Sequence, residues 1–387
     1  RRLYREQIRP FLHWWHILSA IARCGLLLFR SAFGRVYALI VVILYHKCNL
    51  KVKFIKTISV KQLPILFIMK YAIVFFSMFL LFSCNSDSKL EQEIEAIPMD
   101  VKIVRFDKEF ARATPETLNS LKQKYPVFFP EQFHDSIWLG NLNDPIQQQL
   151  NEAVENAFPT EETIEDQLLP LFQHISYYFP EFEAPTTVTV TSDVDYQNRA
   201  IVADTLLVLA LDTYLGSDHE FYENIKRYIA KNLKPSQIGP DVAEAYARQL
   251  ISPPSKRDLL SQMVYYGKEL YLKDIWLPNV SDAEKIGYTK EEMQWANDNE
   301  EDMWRYFIEK ELLYKTDPKL APRFIFNAPF SKFYLEIDNE SPGMVGRYIG
   351  WQIVRSYMEN NTVTVPQLLI KNADEIFKNS KYKPKKN

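Results

Sequence analysis

Cysteine is scarce in this chain of 387 residues, which contains only Cys24, Cys48 and Cys84. Only the last of these lies beyond residue 68, so the greater part of the chain has a single thiol at its start. One thiol cannot build a disulfide framework, even in an oxidising compartment. Disulfide scaffolds and cysteine catalysis are therefore excluded for the remaining residues.

Histidine is equally sparse, and the residues after 68 contain only His134, His174 and His219. No two of them have the i, i+4 spacing that lets two imidazoles on one helix face a single zinc ion. The sequence therefore contains no standard zinc motif. We expect no metal ligands and no small-molecule cofactor.

Methionine and acidic residues are nearly missing from residues 1–68. The first methionine is Met69, and the segment before it has twelve Lys and Arg residues against one acid, Glu6. We interpret residues 1–68 as a non-native upstream extension without a structure of its own. The alternative is a membrane anchor at "VYALIVVILY" (36–45), but a spanning helix needs roughly 20 apolar residues.

A signal-like segment starts at Met69. One positive residue, Lys70, is followed by an uncharged apolar run and then by Ser83 and Cys84. This order is typical of a secretory signal peptide, with a short apolar centre and a small residue before the cleavage site. We predict a signal peptide over 69–83 with cleavage between Ser83 and Cys84.

The ending "LFSC" (81–84) resembles a bacterial lipobox. The resemblance implies that the sulfur of Cys84 carries diacylglycerol, that its amino group carries a further acyl chain such as palmitate, and that Cys84 is the first mature residue. The polar stretch "NSDSKLEQE" follows at once, as expected for a solvated tether over 84–97. The sequence thus predicts a lipid-anchored protein outside the cytoplasm, on the inner or the outer membrane.

Residues 84–387 hold 33 basic and 48 acidic side chains, a formal charge of −15. An acidic surface repels phosphate backbones and anionic headgroups, so nucleic acid is not an expected partner. No linker rich in Gly, Ser or Pro divides this region. We predict one globular domain over 98–378 and a basic tail over 379–387.

Apolar periodicity near 3.6 dominates the globular region and predicts helices, whereas strand patterns are confined to its middle third. "TTVTV" and "RAIVADTLLVLALD" are the strand candidates, expected to pair through the turn-like "DVDYQN". Asp258 and Ser341 are expected to cap helices. Gly346 and Gly350, one helical turn apart, indicate close helix packing. The predicted fold class is α+β: a mainly helical single domain with a small central sheet.

Three polar motifs have structural readings that we prefer to functional ones. "HEFYE" (219–223) lacks the second histidine of a metalloprotease box, and "DVDYQNRAIVAD" (193–204) lacks the glycine of a calcium loop. The acidic run from Glu291 to Asp302 is interleaved with Trp295 and predicts a solvated helix face.

Several long aromatic stretches, including "YYFPEFEAP", "DTYLGSDHEFY", "MVYYGKELYL" and "RFIFNAPFSKFYLEIDNESPGMVGRYIGWQIVRSYM", resemble the gliding-motility lipoprotein family GldB of Bacteroidetes. The resemblance runs from Met69 to the C-terminus. It implies export, lipid anchoring in the cell envelope and a role in gliding over surfaces. It names no reaction.

A weaker resemblance links the core to predicted zinc-dependent proteases, and it implies a degenerate zincin-like fold. When the chain is aligned with these proteases, "AEAYA" (243–247) takes the place of their zinc-binding His-Glu-x-x-His motif. Ala243 and Ala247 then stand in place of the two histidines, and Glu244 stands in place of the general base. Tyr266 takes the third-ligand position. Methyl groups cannot bind zinc and a phenol is a poor ligand near neutral pH, so these four residues would form a vestigial, empty site.

The function expected from the sequence is therefore a non-catalytic, lipid-anchored envelope protein that acts through contacts with other gliding or envelope proteins. One alternative is a metal-dependent peptidase or hydrolase that uses Glu244 with a metal held by His219 or the acidic run. Another is a chaperone-like or glycan-binding module, suggested by the many Tyr and Trp residues.

Overall fold

A computed structural model describes residues 87–336 and 338–386. The predicted extension, the signal peptide and Cys84 lie outside these residues. The helices, in chain order, are α1 Asp87–Glu95, α2 Phe106–Ala111, α3 Leu118–Lys124, α4 Asp135–Asn143, α5 Pro145–Ala157, α6 Glu162–Tyr178, α7 Arg227–Ala230, α8 Ile238–Leu250, α9 Leu259–Trp276, α10 Asp282–Ile286, α11 Lys290–Asp298, α12 Glu300–Glu309, α13 Leu320–Phe324, α14 Val345–Asn360, α15 Val365–Ile370 and α16 Ala373–Ser380. The strands are β1 Ile103–Val104, β2 Thr186–Val190, β3 Ala200–Ala203 and β4 Leu206–Ala210.

The four strands form one mixed sheet in the order β1-β2-β4-β3. β1 and β2 are parallel, as are β2 and β4, whereas β3 and β4 form an antiparallel hairpin. Alternate residues of a strand face opposite sides. Val188 faces the aromatic cluster of α2 and α3, while Leu207 and Leu209 face the core shared with α6 and α8. Helices therefore cover both faces of the sheet, and the α+β prediction is confirmed.

The two strand candidates pair as neighbours, as predicted, but not through the predicted turn. The run "RAIVADTLLVLALD" is two strands, because Asp204 adopts a left-handed backbone conformation (φ 46°) and turns the chain back on itself. β2 then pairs with β4 in parallel, and the segment "DVDYQN" is a connection rather than a tight hairpin turn. Periodicity alone did not reveal this turn.

Helix α9 is the central element of the C-terminal half, with twelve buried residues out of 18. Leu260 and Met263 pack in a core with α14, while Leu272 and Trp276 pack in a second core with α6 and α8. A helix buried on most sides does not show a one-sided apolar stripe. It also carries three buried charged residues, Lys268, Glu269 and Lys273.

Both ends of the described chain are docked on this core. Within the segment predicted as a tether, α1 buries Ile94 completely, and Gln173 Nε2 donates to the carbonyls of Glu95 and Ile97 at 3.0 and 2.9 Å. The packed region thus begins before residue 98. In the segment predicted as a basic tail, the hydroxyl of Tyr382 donates to Glu300 Oε1 at 2.8 Å.

Helix starts follow ordinary capping chemistry. Asp258 was expected to cap a helix, and its side chain accepts from Ser261 N at the start of α9. Ser341 does not cap α14, which begins after Met344 in a left-handed conformation. Within the described ranges, no helix combines the length and the apolar character needed to cross a membrane.

Candidate functional site: a charged cavity beside helix α8

A cavity of about 260 Å³ opens among α8, α9, α10, the β3 hairpin and the start of α14. Its lining is mostly polar and holds more basic than acidic groups. The charged lining residues are Arg199, Asp241, Glu244, Arg248, Lys273, Lys285 and Arg347. Of the four residues that the zinc-protease resemblance singled out, Glu244 lines this cavity.

Helix α8 places its charged and its small residues on different faces. Asp241, Glu244 and Arg248 follow a three- and four-residue spacing, which puts them on one face, and all three line the cavity. Ala243 and Ala247 are fully buried in the core. The two positions where the resemblance would place zinc-binding histidines therefore contact apolar side chains.

Glu244 lies between two cations. Its carboxylate accepts a hydrogen bond from Lys273 Nζ at 2.9 Å and forms an i, i+4 ion pair with Arg248. Burial tends to raise the pKa of this carboxyl, but the charges of Lys273, Arg248 and Arg347 outweigh it and hold the pKa well below its usual range. Glu244 is accordingly a charged, paired carboxylate that resists taking up a proton.

A second ion pair closes the side of the cavity near the sheet. Arg199, at the start of the β3 hairpin, donates from Nη2 to Asp241 Oδ1 at 2.8 Å and from Nη1 to the carbonyl of Asn232 at 2.9 Å. The hydroxyl of buried Tyr214 donates to the other oxygen of Asp241 at 3.0 Å. Both oxygens of Asp241 thus have partners.

Glu269 lies one helical turn before Lys273 on α9 and is 1% exposed. Its Oε2 atom has no hydrogen-bond partner within the described ranges, and its nearest cationic neighbour is Arg248 Nε at 3.6 Å. Burial, and then the charge of Glu244, raise the pKa of Glu269 to about 7, although Lys273, Arg347 and Arg248 oppose this shift. The two carboxyls beside Arg248 therefore differ strongly in pKa.

Arg347, on the first turn of α14, also lines the cavity. Its Nε donates to the carbonyl of Ile325 at 2.7 Å, and its guanidinium carbon lies 3.9 Å from the ring centroid of Tyr266. Tyr266 thus supports Arg347 by stacking. Among residues 87–336 and 338–386, neither Nη atom of Arg347 has a hydrogen-bond or ion-pair partner.

The remaining wall is a paired network. Lys285 Nζ lies 3.2 Å from Asp274 Oδ1. Arg355 makes two hydrogen bonds of 2.7 Å to Asp274 and further bonds of 2.9 and 3.0 Å to Asp282. Lys285 therefore has carboxylate partners behind the cavity.

The other sequence candidates have local structural roles. His219 Nδ1 accepts from Phe221 N at the start of a short 3₁₀ helix. In the loop compared with a calcium site, Asp212 accepts from the backbone N–H groups of Ser192 and Val194 at 2.9 and 2.7 Å and so organises the loop. In the part of the chain that the structure describes, no group of three or more His, Cys, Asp or Glu residues is arranged to hold a metal ion.

A second cavity, of about 280 Å³, lies against α11, α12 and the loop around residue 333. Its apolar lining comprises Trp295, Met303, Tyr306, Phe333 and Leu335. Asp302, Glu309 and Asp338 line it as well. Asp302, the last residue of the acidic run, thus borders an aromatic groove, while Trp295 packs partly against the core.

Sequence reasoning found Glu244 and Tyr266 but missed the basic residues around them. The i, i+4 spacing of Glu244 and Arg248 was visible as a helix ion pair. Lys273 and Arg347 lie far from Glu244 in the chain, and no short motif links them. Only the packing of α8, α9 and α14 brings these residues to one cavity.

Comparison with known proteins gives one match. A family model described as gliding motility protein GldB matches residues 87–384, more than three quarters of the chain. The match contains α8, α9 and α14 and therefore the whole charged cavity. No curated protein and no solved structure matches the chain.

Proposed function

The chain belongs to the GldB family of gliding motility proteins, and from this premise we propose that it is a non-catalytic, lipid-anchored protein of the cell envelope. Its role in gliding is to contact other motility or envelope proteins. Membership itself associates the chain with gliding motility. The anchor, the absence of catalysis and the mode of action are the parts that we propose.

The state of Glu244 carries the non-catalytic part of the proposal. A general base must accept a proton near the working pH, whereas Lys273 and Arg248 keep the pKa of this carboxyl far below that range. The positions of Ala243 and Ala247 add a second argument, because both methyl groups are packed in the core. This pattern favours a binding or structural role.

The anchor is proposed from the sequence. Cys84 follows a signal-like apolar segment, and the family match starts at residue 87, directly after it. Burying an acyl chain stabilises membrane attachment by about 0.8 kcal/mol per methylene, and stable anchoring needs more than one chain. Diacylglycerol on sulfur together with an N-acyl group meets that requirement.

The experiment for the anchor uses the variant Cys84→Ala in cells. We expect the unaltered protein to incorporate labelled palmitate and to sediment with membranes. The variant should take up no label and appear in the soluble fraction once its signal has been removed. Membrane retention of the processed variant would refute the anchor.

The hydrolase alternative requires a bound metal ion. We expect metal analysis of the purified protein to find no stoichiometric zinc that a chelator removes. Its discovery, together with loss of peptide hydrolysis on chelation, would overturn the non-catalytic proposal.

The aromatic groove favours a second candidate, a glycan- or peptide-binding module. Trp295 lines this groove, so its fluorescence should respond to a bound oligosaccharide or apolar peptide. A saturable change that is lost in Trp295→Leu would support this candidate. No response to a panel of both ligand types would argue against it.

A further inference from the structure

The charges around the cavity beside α8 do not cancel. Asp241 is paired with Arg199, and Lys285 is paired with Asp274 behind the wall. Glu244 forms ion pairs with two cations, Lys273 and Arg248, and Arg248 also lies 3.6 Å from the carboxyl of Glu269. Arg347 adds a further cation without a carboxylate partner among the described residues. The lining thus has positive charge left over in a region whose formal charge is −15.

Arg347 is prepared to receive an anion. The carbonyl of Ile325 fixes its Nε, and the ring of Tyr266 holds the plane of its guanidinium. Its Nη groups are therefore oriented before any ligand arrives. A held guanidinium loses little conformational entropy on forming two parallel hydrogen bonds to a carboxylate.

The size and the charge of the cavity favour a carboxylate. A volume of about 260 Å³ admits one side chain or one terminal residue. Asp241 and Glu244 also line the cavity, and they would repel a dianionic phosphate more strongly than a singly charged carboxylate. The excess positive charge matches a single negative group.

The rim of the cavity suits a peptide. Gln197 and Asn327 are exposed, and each carries an amide that can both donate to and accept from a peptide backbone. Ala200, on the outermost strand of the sheet, lines the same cavity. Outer strands are places where extended peptides can dock.

We propose that this cavity binds the carboxylate of an acidic side chain in a partner protein, with Arg347 as the principal contact and Arg248 as a second contact. The proposal builds on the proposed function, since it names the chemistry by which this envelope protein contacts a partner.

The test is a titration of the purified protein with small probes, followed by ligand-observed NMR. The probes are aspartate capped as N-acetyl and N-methylamide, the equally capped asparagine, acetate and inorganic phosphate. We expect capped aspartate to bind at least about tenfold more tightly than capped asparagine. Its carboxylate accepts charge-assisted hydrogen bonds as an anion, which the neutral amide of asparagine cannot do. Capped aspartate should also bind more tightly than acetate, which lacks the backbone groups, and more tightly than phosphate.

Arg347→Gln should weaken the binding of capped aspartate by about tenfold or more. Arg248→Gln, at a more exposed position, should weaken it by a smaller factor and tests the same site if Arg347→Gln does not fold. Arg323→Gln is the matched control: Arg323 Nε donates to the carbonyl of Lys332 at 2.8 Å, and its guanidinium lies 4.3 Å from the ring of Tyr334, outside the cavity. The affinity of Arg323→Gln for capped aspartate should equal that of the unaltered protein.

Each other result overturns part or all of the proposal. Equal binding of capped aspartate and asparagine, unchanged binding in folded Arg347→Gln, or no binding of any probe would remove the carboxylate site. If phosphate bound more tightly than capped aspartate, the ligand would be a phosphate group and not a carboxylate. If acetate bound as tightly as capped aspartate, the backbone groups would contribute nothing and the ligand would not be a peptide. The membrane assay of Cys84→Ala is independent of all these readouts, so the anchor and the pocket can fail separately.

Discussion

The crossing of α9 and α14 allows almost no space between the two helices. An added methyl group at Gly350 would lie 1.8 Å from the carbonyl oxygen of Met263, and one at Gly267 would lie 2.3 Å from the carbonyl oxygen of Gly350. The atoms in the way belong to the main chain and cannot rotate aside. Gly350→Ala therefore forces the helices apart by roughly 1 Å or more before van der Waals distance is restored.

The expected cost follows from this geometry. Overpacking typically destabilises by about 1–3 kcal/mol, and a clash with main chain belongs at the upper end. Alanine recovers at most about 1 kcal/mol through its helix propensity. We expect Gly350→Ala to lose about 2 kcal/mol or more, which lowers the melting temperature by about 3 °C or more in a domain of about 300 residues.

Thermal unfolding followed by circular dichroism measures this effect, with Gly140→Ala as the matched control. Gly140 lies inside α4, and an added methyl group there meets no atom within 4 Å. The control should be stabilised by about 0.5–1 kcal/mol through helix propensity alone. Equal melting temperatures for Gly350→Ala and the unaltered protein would refute the close packing of α9 and α14.

Two further predictions concern the buried carboxyl and the N-terminal helix. Because the folded pKa of Glu269 is about 7 against an ordinary 4.5, the folded state holds the extra proton between these values, and this group's contribution to stability falls as pH rises through that window. Glu269→Gln should therefore gain up to about 3 kcal/mol relative to the unaltered protein between pH 5 and pH 8 in urea unfolding, and an equal difference at both pH values would contradict the assignment. Ile94→Ala should lower the free energy of unfolding by about 2–4 kcal/mol, because Ile94 is fully buried, whereas a free tether over 84–97 predicts no change.

Much of the fold could be read from the sequence because its signals are local. Helical periodicity, the Asp258 cap and the Gly346 and Gly350 pair each depend on residues within one or two turns. The sheet was read less well, since the left-handed turn at Asp204 carries no glycine. The parallel pairing of β2 with β4 joins segments whose order in the sheet no short motif encodes.

The cavity could be predicted only in part. Glu244 and Tyr266 were identified through a resemblance, yet neither has the environment of a zinc site. Lys273 meets Glu244 across two helices, and Arg347 reaches the cavity only because α14 crosses α9 at Gly350. Long-range packing creates this arrangement, so a single sequence does not reveal it.

We propose that this family member serves gliding from a membrane anchor at Cys84. The most direct test of this proposal is colony spreading of a strain that lacks the protein and carries either the unaltered chain or Cys84→Ala, with the location of each product checked by fractionation. We expect the unaltered chain to restore spreading, while the processed variant accumulates in the soluble fraction and restores none. Spreading at the normal rate with a soluble variant would contradict the proposal.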